Sequence, residues 1–127
     1  MSLAKLKDVN RRDPYFLNLL KKIVSRIIDV DKNARIYIFG SFVVDRFTAE
    51  SDLDIAVIVP DHWSSRVFIE KIYEVGFLSS WPLDLLVFKE KDFAIKKEVG
   101  GVCVDIAESG VELYPQWRLD ESFDKKI

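Results

Sequence analysis

The sequence predicts an α/β fold: a small mixed β-sheet with flanking helices, set mainly on one face. Three observations predict it. Apolar runs of strand length fall at 35–39, 53–59 and 82–88, and segments of helical period lie beside them. The third is the stretch joining the second and third runs, long enough for a helical crossover between parallel strands. With 127 residues the chain is expected to form one domain, residues 1–127, with a core at about 13–115 and a tail at 116–127.

Asp13-Pro14 marks the first helix start, since an aspartate side chain caps orphan N–H groups and proline suits the first helical position. Phe16, Leu17, Leu20, Ile23, Val24, Ile27 and Ile28 then recur at helical spacing, with Lys21, Lys22, Ser25, Arg26 and Asp29 opposite. That pattern predicts a helix to about Val30. The run at 35–39 is β-branched and aromatic and stops at Gly40, and a short helical or irregular segment is expected after Ser41. Residues 53–59 are almost continuously apolar and end at Pro60, the pattern of a strand buried on both faces. Val67, Phe68, Ile72 and Val75 predict a helix within 64–75, leading to the strand at 82–88. Asp92 is expected to cap a helix running to Val99 and ended by Gly100-Gly101. One or two helical turns are expected over 102–108, then an edge strand at 111–114 stopped by Pro115. Residues 116–127 are mostly charged and polar, with Trp117 and Phe123 interspersed, and read as a partly ordered tail available to a partner.

Composition narrows the function classes. Hydrophobic residues make up 49% and charged ones 31%, a soluble globular balance. No apolar run reaches the length of a membrane span and no signal peptide opens the chain, so a cytoplasmic protein without a membrane role is expected. Cys103 stands alone, which excludes an internal disulfide; its expected role is that of a small core hydrophobe. The net charge of −2 hides an asymmetry: residues 1–48 carry ten Lys/Arg against five Asp/Glu, and residues 49–127 nine against sixteen. That balance argues against a duplex-DNA binder, and no sequence-specific DNA binding is expected. His62 has no second His or Cys nearby for a zinc site and is expected to be exposed. Trp63, Trp81 and Trp117 could stack on a base, but packing is the commoner role of tryptophan.

The chemistry concentrates in one stretch. Gly40-Ser41 is followed after ten residues by Asp52-Leu53-Asp54, between two apolar strand-like runs. Alternate strand residues share a face, so Asp52 and Asp54 point the same way, roughly 7 Å apart at the backbone. Two carboxylates so placed can converge on divalent cations that also hold substrate phosphates. Carboxylates beside a buried strand otherwise carry a desolvation cost with no return. A glycine at a strand end lets the backbone turn tightly, and a serine opening the next segment can leave N–H groups aimed at an anion. Two other readings stay open on the residues alone: a surface turn at Ser51-Asp52, and an Asp-x-Asp that holds a nucleotide-sugar metal.

The stretch Ile38-Phe39-Gly40-Ser41 … Ser51-Asp52-Leu53-Asp54-Ile55-Ala56-Val57 resembles the nucleotidyltransferase superfamily that includes DNA polymerase beta. It looks most like the minimal nucleotidyltransferases of prokaryotes, several of which are antitoxins paired with HEPN-domain toxins. The similarity covers about residues 15–115. It implies a polymerase-beta-like nucleotidyltransferase fold and a third carboxylate on a later strand, which would be Asp84 in the run 82–88. It implies transfer of a nucleoside monophosphate from a triphosphate, ATP favoured, to a hydroxyl of a partner protein or RNA. Asp52, Asp54 and Asp84 would be catalytic and would hold two Mg²⁺ ions, with Mn²⁺ as a substitute. Gly40 and Ser41 would cradle the phosphates, with Arg46 as the nearest cation. A HEPN-type toxin is the implied protein partner, and the alternative role is a weak or inactive binding module that neutralises a partner by contact. One departure stands out: Val44 occupies the position of an arginine common in relatives, and Asp45 that of a glycine.

Overall fold

A computed structural model describes residues 13–44, 50–79 and 82–120. Asp45, Arg46, Trp81 and Phe123 therefore lie outside the described residues. Helix α1, Pro14–Val30, starts where expected: Asp13 Oδ1 accepts from the Tyr15 N–H at 2.8 Å. Its apolar stripe buries Phe16, Leu19, Leu20, Ile23, Val24 and Ile27 against the sheet. Burial of each of these side chains contributes about 1.5–3 kcal/mol, so the stripe, more than helix propensity, holds α1 in place.

Strands β1 (Arg35–Phe39), β2 (Leu53–Val59), β3 (Leu83–Lys89) and β4 (Val111–Tyr114) form one sheet in the order β3-β2-β1-β4. β1 is antiparallel to β2 and β4, and β2 is parallel to β3, so the sheet is mixed as expected. The crossover between β2 and β3 holds α2 (Ser65–Lys71), capped by Ser64, followed by a 3₁₀ turn at Tyr73–Phe77.

The placement of helices corrects one expectation. They cover both faces. α1, α2 and the 3₁₀ turn pack on the face made by Ile36, Ile38, Leu53, Ile55, Val57 and Val59. Helices α3 (Glu90–Lys96) and α4 (Val102–Ser109) cover the other, where Phe93, Cys103 and Ile106 meet Phe39, Ala56 and Ile58. The physical reason lies in β2, whose residues 55–59 are wholly buried on both sides and so need a layer on each.

Two boundaries also differ. α3 begins at Glu90 and ends at Lys96, where a helix from Asp92 to Val99 was expected. Its first turn is satisfied from a distance, because Asp61 Oδ1 accepts from the Lys91 N–H at 2.9 Å, so the helix needs no local cap at Asp92. The start of the expected tail folds back onto the core. Leu119 is wholly buried, Trp117 packs against the main cluster with Lys21 Nζ 5.7 Å from its ring, and the Arg118 N–H donates to the Glu112 carbonyl at 2.9 Å. Cys103 is buried, as expected of a small core hydrophobe. Among the described residues no helix is long and apolar enough to cross a membrane.

Candidate functional site

Side-chain alternation sorts β2 into two sets. Leu53, Ile55, Val57 and Val59 face α1, which leaves Asp54 on the face of Ala56 and Ile58. The register places Phe39 of β1 and Asp84 of β3 on either side of Asp54. Neighbouring strands lie about 4.8 Å apart, so the Asp54 and Asp84 backbones are adjacent. Asp52 immediately precedes β2, two residues from Asp54 and on the same side. The structure thus brings the three aspartates named by the sequence to one end and one face of the sheet. Asp52 and Asp84 are exposed, while Asp54 is half-buried.

That crowding is visible in the chemistry of Asp54. Its carboxyl is pushed up to about 6, chiefly by burial, then by the charge of Asp84 and then by that of Asp52. Gly40 completes the enclosure. β1 ends at Phe39, and Gly40 turns the chain with φ +75° into the 3₁₀ turn Gly40–Phe42. A Cβ placed on Gly40 would collide with Asp54 Oδ2, so the carboxylate lies directly against the Gly40 backbone. Only glycine meets both conditions, the positive φ and the missing side chain. The Gly40 carbonyl accepts from the Val43 and Val44 N–H groups at 3.1 and 3.2 Å, which fixes the turn. Ser41 sits at the centre of it, and Val44, 45% exposed, follows. Arg46 falls outside the described residues.

Among the described residues, no three His, Cys, Asp or Glu side chains are already gathered into an ion-holding cage. Asp52, Asp54 and Asp84 line an open edge. An open set of carboxylate oxygens suits Mg²⁺, which is usually held by one or two carboxylates together with substrate phosphates. Phe39 is the participant that sequence reasoning missed: it is buried directly beside Asp54 and strips water from that flank. The signal that finds it is antiparallel register, which local pattern does not contain. His62 is exposed, with 69% of its side chain accessible, and stands at the far end of the sheet.

A family model described as a nucleotidyltransferase domain matches residues 17–113. No significant match is found among curated proteins. Among solved structures, a mutant of the toxin–antitoxin MntA-HpeT is similar at 21% identity and TM-score 0.55, covering 84% of this chain and 82% of that one. A toxin–antitoxin with AMP-PNP is similar at 20% identity and TM-score 0.52, covering 84% and 82%. Cid1, with RNA terminal uridylyl transferase activity, is similar at 16% identity and TM-score 0.53, covering 67% of this chain. This chain spans only 23–34% of the length of the Cid1 chains it matches.

Proposed function

The chain belongs to the nucleotidyltransferase domain family, and from that premise we propose that it transfers a nucleoside monophosphate from ATP to a hydroxyl of a partner protein or RNA. One observation carries the reading: Gly40, Asp54 and Asp84 stand side by side at one sheet end, with Asp52 next to them and three negative charges crowded together. Such crowding is unfavourable in a resting protein and favourable once positive charge arrives.

Each residue has a role that follows from its place. Asp52, Asp54 and Asp84 would hold Mg²⁺, which when bound neutralises phosphate charge and lowers the pKa of an acceptor hydroxyl. Asp54 is fixed by the central strand and by Gly40, so its oxygens are the invariant point of the site. Asp84, exposed on the adjacent strand, receives the acceptor proton as the hydroxyl attacks the α-phosphorus, an assistance worth about 10²–10⁴ in rate. The backbone at Gly40 and Ser41 cradles the β- and γ-phosphates, and Phe39 excludes water from the inner side. The similarity to a toxin–antitoxin with AMP-PNP supports ATP as the nucleotide and a toxin, of HEPN type by the sequence resemblance, as the acceptor.

The test is transfer of label from ATP carried on the α-phosphate, with Mg²⁺ and with protein and RNA acceptors. Label should move to an acceptor with release of pyrophosphate, and Asp54→Asn should abolish the transfer. Absence of transfer to any acceptor, with nucleotide bound or not, overturns the reading. Val44 favours a second one. It puts an exposed valine where relatives offer a phosphate-binding guanidinium, so a module that neutralises its partner by contact would bind that partner without turnover.

A further inference from the structure

The two edges of the sheet are treated in opposite ways. β4 has only four residues, its pairing with β1 is broken by a register shift, Pro115 ends it, and the Arg118 N–H returns to the Glu112 carbonyl beside it. Glu112 also accepts from Arg118 Nε at 3.2 Å. These are the devices by which proteins stop a sheet edge from recruiting another strand. β3 has none of them. It is seven residues long, contains no proline, and carries charge only at Asp84 and Lys89 near its ends. Leu85, Leu86 and Phe88 are only half-buried. Among the described residues no strand pairs with its outer side, and no backbone hydrogen bond beyond the β2 ladder is made by Leu83 through Phe88.

The open edge is also the strand that carries Asp84. We propose that β3 is a strand-addition site for the acceptor: an extended polypeptide segment pairs with its outer edge and presents a side-chain hydroxyl to the carboxylates. This rests on the transferase reading and names its substrate class. Residues directly opposite each other on paired strands share a face, so the acceptor residue facing Asp84 points to the side of Asp54 and Asp84. The acceptor residues two and four positions along meet Leu86 and Phe88, which share that face. The segment is therefore a Ser, Thr or Tyr with apolar residues at alternate positions on one side of it, held by main-chain bonds that tolerate sequence. In the transfer, the acceptor oxygen bonds to the α-phosphorus, the α–β bridging P–O bond breaks, pyrophosphate leaves with that electron pair, and the hydroxyl proton passes to Asp84 and on to water. RNA fits this edge poorly, because it has no alternating N–H and C=O groups to pair with a strand.

The probe is a synthetic nonapeptide with a central tyrosine and valines at alternate positions, together with two twins N-methylated on each alternate set of amides. Amide hydrogen exchange of the full chain, with MgATP present, should slow about tenfold or more at Leu85–Phe88 and stay unchanged in β4. The parent peptide should accept label from α-labelled ATP. One N-methylated twin should lose both effects and the other keep them, and Leu86→Lys should weaken the parent peptide at least tenfold. Labelling with no protection of β3, equal behaviour of both twins, or protection of β3 by an RNA oligomer or by a second copy of the chain overturns the proposal. MgATP binding by calorimetry separates the two failures. Nucleotide bound without β3 protection sinks strand addition alone, and β3 protection without transfer sinks the transferase reading alone.

Discussion

Asp31 and Asp54 are both part-buried at opposite ends of the sheet, yet their carboxyl groups respond in opposite directions. Asp31, its side chain 12% accessible, accepts from Trp63 Nε1 at 2.7 Å and from the Asn33 N–H at 2.8 Å. Those bonds, the Trp63 one first, hold its carboxyl below the usual carboxylate range despite its burial. Asp54 sits against a glycine backbone with two more acids nearby, and its carboxyl is driven up to about 6. A satisfied acid ties α1 to the loop after β2; an unsatisfied one is stabilised only by something brought from outside. The residue type is the same, but burial is the chief push on Asp54, with the charges of Asp84 and Asp52 added to it, whereas at Asp31 two hydrogen bonds outweigh burial.

The largest expected consequence is kinetic. Asp54→Asn should abolish nucleotide transfer, while its melting temperature at pH 8 equals or exceeds that of the wild type. Thermal melts and single-turnover labelling read both at once, and a mutant that melts far lower would make Asp54 a second Asp31. Next comes Gly40→Ala, which forces a side chain into φ +75° and onto the Asp54 carboxylate. It should cost about 3 kcal/mol in denaturant unfolding and weaken MgATP binding in calorimetry. Asp31→Ala should cost about 2 kcal/mol by stranding the Trp63 and Asn33 donors, with transfer unaffected. If it instead changes transfer with stability intact, the two ends of the sheet are not independent.

The smallest effect lies in pH. A carboxyl raised in the folded state binds its proton more tightly there than in the unfolded chain, so Asp54 adds stability below about pH 4 that is lost as pH rises through about 6. Asp31, shifted the other way, adds stability above its unfolded value that is lost as pH falls. The stability gap between Asp54→Asn and wild type should therefore open between pH 4 and pH 7. Because Asp54 is half-exposed, about 1 kcal/mol is the expected size. A gap that stays constant across that range would mean that neither burial nor the neighbouring charges raise the Asp54 carboxyl.

The strands, the first helix and the Asp52–Asp54 pair were legible because they rest on local period, while Asp84 was named only by the family resemblance. Alternation alone put Asp52 and Asp54 on one side, and an apolar run closed by Pro60 declared β2 buried twice over. That second inference already implied two helical layers, and the expectation of helices mainly on one face did not follow it through. What local pattern could not carry was contact between distant residues. Asp61 sets the start of α3 thirty residues on, and Trp63 reaches back to Asp31. Leu119 looked incidental inside a charged stretch and is wholly buried. The contact of Gly40 with Asp54 depends on the β1–β2 register, which no window along the chain reveals.

The double burial of β2 has a consequence for how this chain can change its length. A strand exchanges its faces with every residue inserted or deleted. One residue lost between Asp54 and Val59 would turn either the apolar set that meets α1 or Asp54 itself to the wrong side. Asp54 would then point into the packed interior, and the α3–α4 layer would face residues shaped for the other. Core and candidate site thus share one reading frame of side chains. Drift in length is confined to the connections around β2, and a functional chain of this design keeps seven residues from Leu53 to Val59.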